Sequence, residues 1–153
     1  MSFMETSQTR RRAWLATGIW SLAGIGFTLT FFSGGGPGQF DTDSTRHLAG
    51  AVALAFGFIG YWSVLWFTRG GRESPPLTDE RDAHVSARAG QTTLIVVLTA
   101  IFALAIGLWV AYESTGEVPV GWMWFLAYGS VILAFVTYAG AVLVLDSRMG
   151  GHE

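Results

Sequence analysis

TTLIVVLTAIFALAIGLWVAY, residues Thr92 to Tyr112, is the stretch that decides the fold class of this chain. It contains no charged residue. At a rise of about 1.5 Å per residue, a helix of this length crosses a hydrocarbon core about 30 Å thick. Lipid offers no hydrogen-bonding partner to a peptide group, so the stretch predicts a transmembrane helix.

Three further runs share this length and lack of charge, at residues 13–32, 48–68 and 121–145. The sequence therefore predicts an all-α integral membrane protein with a four-helix domain at 13–146 and short tails at 1–12 and 147–153. Short connections favour antiparallel neighbours, so we expect an up-down bundle. The glycine-rich stretch Ser33 to Gly38 opens the first connection and predicts no regular element there.

Composition agrees with this class. The chain is 51% hydrophobic and 13% charged, against about 25% charged in an ordinary soluble domain. A net charge of −2 argues against a nucleic-acid partner. The absence of cysteine excludes disulfides, thiolate metal sites and iron–sulfur clusters.

Orientation follows from the nine cationic residues, all of them arginine. Only Arg46 lies in a connection on one side of the membrane, and the others lie before the first span, between the second and third, or after the fourth. Cytoplasmic loops carry the excess of basic residues, so both termini are predicted to be cytoplasmic. Arg11-Arg12 resembles a twin-arginine export signal, but the apolar run after it is too long and lacks a clean cleavage site, so we expect this span to be retained.

The connection between the second and third spans holds the most distinctive polar segment. Thr78 is suited to cap a helix, and acidic residues follow it in the first turn. The third helix is therefore predicted to begin near residue 79 and to project into the cytoplasm. One interpretation is a capped, charged helix end near lipid headgroups. The other is a docking surface for a cytoplasmic partner, formed by Asp79, Glu80, Arg81, Asp82 and Arg88.

Small residues recur at helical spacing on the second and third spans. They are Gly50, Ala53, Gly57 and Gly60 on the second, and Ala103, Gly107 and Ala111 on the third. Small side chains let helix backbones approach closely in lipid. They predict either packing within the bundle or a face for a homodimer or larger complex.

Candidate cofactor and metal ligands are sparse. His47 begins the second span, at the outer side of the membrane. A haem held between helices needs a second axial ligand, and no other histidine is predicted to lie in the outer half of the membrane. Glu80 and His84 lie four apart on a predicted helix, and two ligands do not make a metal site. No carboxylate, arginine or histidine lies inside a span, which argues against a proton-coupled carrier and against acid–base catalysis in the membrane. We predict no cofactor, no metal and no catalytic residue.

The run Asp79-Glu80-Arg81-Asp82, with Arg88-Ala89 before a transmembrane helix, resembles a prokaryotic family of small four-span predicted membrane proteins, a domain of unknown function. Arg88 stands where that family more often has lysine, and His84-Val85 replaces a more strongly charged or aliphatic pair. The resemblance implies the cell membrane of a bacterium or archaeon. Some members resemble companions of small DNA-binding regulators, which would suit a membrane-tethered partner.

These observations favour a non-enzymatic membrane interaction protein, such as an accessory subunit, scaffold or regulator of a membrane complex. Its expected partners are the lipid bilayer, further copies of itself or a larger membrane protein, and a cytoplasmic protein. A small oligomeric channel or transporter is the first alternative. A haem- or quinone-associated redox subunit is the second.

Overall fold

A computed structural model describes residues 8–68 and 80–149 of the chain. Every regular element within those ranges is a helix: α1 (Gln8–Phe32), α2 (Pro37–Phe40), α3 (Ser44–Phe67), α4 (Glu80–Tyr112) and α5 (Gly121–Met149). The four long helices are each apolar enough, over a sufficient length, to cross a membrane. The predicted all-helical, four-span fold is confirmed.

The four long helices are arranged in the order α3, α1, α5, α4. Helix α1 packs along both α3 and α5, and α4 packs along α5. Helices α3 and α5 touch only marginally, and α3 and α4 do not form a packed pair although they follow each other in the chain. The protein therefore consists of two helix hairpins, α1–α3 and α4–α5, joined along α1 and α5.

Helix α1 occupies the middle because it carries a continuous buried stripe. Its buried residues recur every three or four positions, as one face of a helix requires, and are Ala13, Ala16, Trp20, Ala23, Phe27 and Phe31. The Trp20 ring stacks on Phe135 of α5 with ring centres 4.3 Å apart. It also meets Phe58 of α3 edge-on at 5.1 Å. One aromatic side chain thus joins three helices at mid-depth.

The short helix α2 corrects one prediction, because the glycine-rich connection was expected to hold no regular element. Gly34, Gly35 and Gly36 all have positive φ, which turns the chain back after α1. Pro37 then begins α2, where its restricted φ suits the first helical position. Phe40, 1% exposed, packs on Phe27 and Phe31 and anchors the turn to the core.

Most of the described arginines lie at the end of the protein opposite α2. Arg12 donates hydrogen bonds to the hydroxyl and the carbonyl oxygen of Thr68, the residue that caps α3. A cation at a helix C-terminus is favoured by the helix dipole. Ala13 packs with Val85 of α4 and Val142 of α5, so the first turns of α1 and α4 lie beside the last turns of α5.

We call this the arginine-rich end, and it contains Arg10, Arg11, Arg12, Arg88 and Arg148. Arg46 lies at the other, which we call the α2 end. The two ends divide the described arginines as the sequence pattern does. That the arginine-rich end faces the cytoplasm stays a prediction.

Candidate partner-binding surface

The first turns of α4 are packed on one side and open on the other. Val85 is 2% exposed and Ala89 is fully buried, and both pack with Ala13 and Val142. Their spacing of four residues places them on one helix face. His84 and Arg88 are exposed. The segment is a helix held rigidly by its own chain, with a polar side left uncovered.

The segment contains all five predicted partner-binding residues except the first. Asp79 lies outside the described residues, and Glu80, Arg81 and Asp82 are described only as helical backbone. Arg88 is exposed on the second turn after them. Since Val85 and Ala89 carry no polar group, sequence patterning alone gave them no role. Their spacing beside a polar run is the signal that marks an anchored helix face.

The small residues of α3 lie inside the protein. Gly50 lies against the rings of Phe27 and Phe40, and a Cβ added at Gly57 would lie 2.6 Å from the Trp20 ring. A Cβ added at Gly60 would lie 2.9 Å from the Ile19 side chain. Ala53 packs against the cluster around Trp20. These four residues therefore let α1 approach α3 closely.

The small residues of α4 are placed differently. Ala103, Gly107 and Ala111 are all exposed. A Cβ added at Gly107 would meet no atom within 4 Å. In the most apolar 18-residue stretch of α4 no residue is buried. In the corresponding stretch of α1, 28% of the residues are buried. Helix α4 thus contacts its own protein along α5 and presents the rest of its surface to the membrane.

His47 lies at the α2 end between two aromatic rings. Its ring centre is 4.8 Å from that of Phe40 and 5.1 Å from that of Trp124. Asp43 caps α3 by accepting hydrogen bonds from the amides of Thr45 and Arg46. The side chain of Asp43 also lies 3.5 Å from Nε of Arg46. These contacts close the first connection.

Where the structure describes side chains, in residues 10–68 and 83–148, no three metal-ligating groups lie in reach of one another. Glu80 and His84 lie on the same helix, but the Glu80 side chain is outside the described part. His84 is exposed.

The comparisons with known proteins place the chain in a family. No curated protein and no solved structure matches it. Residues 12–149 match the family model described as predicted membrane protein (DUF2178). The match runs from the first turns of α1 to the end of α5, and so includes all four spans and the segment that begins α4. The chain therefore belongs to the DUF2178 family of predicted membrane proteins, a domain of unknown function.

Proposed function

We propose that this protein is a non-enzymatic membrane interaction protein that docks a partner's transmembrane helix on α4. The observation that carries the proposal is the exposure of Ala103, Gly107 and Ala111 on a helix whose main packing partner is α5. Close helix contact in lipid depends on small residues, because lipid tails give no hydrophobic drive for association. The exposed flank of α4 offers such a contact.

The distribution of side chains around α4 supports this choice of flank. Other exposed positions of the helix carry large apolar groups, including Ile95 at 65%, Phe102 at 68% and Trp109 at 64% exposed. Such side chains are well solvated by lipid and keep a second helix backbone at a distance. Gly107 and its neighbours one turn away, Ala103 and Ala111, form a strip of the α4 surface without large side chains. A partner helix therefore approaches closest there.

The start of α4 extends the same surface beyond the membrane. His84 and Arg88 are exposed at the arginine-rich end, while Val85 and Ala89 hold the helix to α1 and α5. With this end in the cytoplasm, as the arginine distribution predicts, the charged turns offer a partner ion pairs and hydrogen bonds. The membrane flank supplies close packing and the charged turns supply specificity. We infer an accessory or scaffold subunit of a prokaryotic cell-membrane complex.

Gly107→Leu is expected to weaken the complex by about tenfold, or about 1.4 kcal/mol, because the added side chain keeps the partner backbone away. The isolated protein is expected to fold normally, since nothing lies within 4 Å of the new Cβ. Ala105→Leu is the matched control, because Ala105 is also a small exposed residue of α4 but lies on its other flank. The measurement is the amount of complex, identified by its mass, that is extracted in mild detergent from the native membrane.

Equal losses for both variants, or for neither, would remove the Gly107 flank from the account. A wild-type complex that contains only copies of this chain would instead direct attention to an autonomous oligomeric channel, and flux into vesicles would test that.

A further inference from the structure

A hollow of about 590 Å³ lies between α1 and α3 at the arginine-rich end. Its walls are apolar along most of their length, with Leu15 and Ile19 from α1 and Phe56 and Phe67 from α3. Ile19 packs onto Gly60 beside the hollow. At the arginine-rich end the wall includes Arg11 and Thr68. The hollow is therefore an apolar groove with a cation at its mouth.

Arg11 and Arg12 are neighbours with different surroundings. Arg12 is engaged by the hydroxyl and carbonyl oxygens of Thr68. Arg11 is exposed, and none of the hydrogen bonds and ion pairs found among residues 8–68 and 80–149 involves it. A second, smaller hollow of about 330 Å³ is lined by Arg10, Arg11, Trp14 and Leu15. The two hollows share Arg11 and Leu15, so Arg11 lies at the boundary between a cationic region and an apolar one.

We propose that this site binds one anionic phospholipid. The phosphate contacts the Arg11 guanidinium beside Arg10 and Trp14, and an acyl chain lies in the groove between α1 and α3. A guanidinium binds a phosphate group through paired hydrogen bonds. Basic pockets between transmembrane helices at their cytoplasmic ends are suited to anionic headgroups. Trp14, 61% exposed, lies at the depth where amphipathic rings meet lipid headgroups.

The size of the groove favours a lipid chain over a protein helix. A helix with its side chains is about 10–12 Å across, and only a few of its residues would fill 590 Å³. A flexible acyl chain fits a hollow of this volume and leaves the headgroup beside Arg11. The site is separate from the flank of α4, because α3 and α4 do not form a packed pair.

The test is native mass spectrometry of the purified full-length protein titrated with phosphatidylglycerol or with phosphatidylcholine of the same acyl chains. We expect phosphatidylglycerol to bind more tightly, and Arg11→Gln to reduce its affinity about fivefold while phosphatidylcholine is unaffected. Arg148→Gln removes the same charge from an exposed position at the same end and serves as the control. It is expected to change the affinity less than twofold. Arg11→Lys is expected to keep most of the preference for phosphatidylglycerol.

A second variant tests the groove without touching the charge. Ser63→Phe places a ring in the hollow. The Ser63 hydroxyl that is lost donates its hydrogen bond to the carbonyl oxygen of Ile59, within the same helix. We expect Ser63→Phe to lower the affinity for both phosphatidylglycerol and phosphatidylcholine. Thr99→Phe, on the exposed face of α4, is the control for this variant and is expected to leave the affinity for both lipids unchanged. Equal affinity of the wild-type protein for the two lipids, or no loss with both Arg11→Gln and Ser63→Phe, would overturn the proposal. Binding of glycerol phosphate as tight as that of the lipid would also overturn it, because the groove would then contribute nothing.

Discussion

Gly57→Leu is expected to lower the free energy of unfolding by about 3 kcal/mol, the upper part of the range for overpacked cores. A Cβ at this position would lie 2.6 Å from the Trp20 ring. That ring has no room to move, because it is fully buried and stacked on Phe135. Accommodating leucine therefore forces α3 away from α1. The midpoint of thermal denaturation in detergent measures the effect.

Gly18→Leu is the matched control for that change. Gly18 lies on α1 near Trp20, but it is exposed, and nothing lies within 4 Å of an added Cβ. We expect its midpoint to equal that of the wild type or to exceed it, since leucine has a higher helix propensity than glycine. Equal stability of Gly57→Leu and Gly18→Leu would contradict the close packing of α1 on α3.

Gly121→Ala is expected to lower the free energy of unfolding by about 2 kcal/mol, a large effect for one methyl group. The new Cβ would clash with the carbonyl oxygen of Pro37. The obstacle is backbone, so it cannot rotate away, and α2 must separate from the first turn of α5. The shift of α2 also loosens Phe40, which is packed against the core.

Gly140→Ala provides the comparison within α5, because an added Cβ there meets nothing within 4 Å. We expect it to leave stability unchanged or slightly raised. The near-ultraviolet circular dichroism signal, which includes Trp122 and Trp124 beside the α2 end, should change with Gly121→Ala and not with Gly140→Ala. A Gly121→Ala protein as stable as Gly140→Ala would contradict the contact between α2 and α5.

The four spans could be predicted from the sequence because the bilayer imposes one strong rule. A long uncharged run has to become a helix when lipid cannot satisfy its backbone, and this holds whatever its neighbours are. Helix α2 was missed because glycine and proline near Pro37 normally indicate a loop. What forms α2 is the burial of Phe40 against Phe27 and Phe31, a long-range contact that local patterning does not contain.

The roles of the small residues could be predicted only in part, for a similar reason. Gly57 and Gly107 look alike in sequence, since each belongs to a stripe with a spacing of three or four residues. What separates them is the opposite helix. Trp20 fills the space beside Gly57, and no side chain fills the space beside Gly107. That difference depends on α1 packing with α3 while α4 packs mainly along α5, and helix pairing is not encoded in the period of one stripe.

The docking of a partner helix on α4 is tested most directly by crosslinking from single positions in the native membrane. The chain has no cysteine, so one introduced cysteine carries a photo-crosslinker without any background from this protein. The account predicts that a probe at Ala103→Cys yields a discrete adduct of higher mass and that the same probe at Ala105→Cys, on the other flank, yields little. Adducts of equal yield from both positions, or from neither while the complex stays intact, would contradict it.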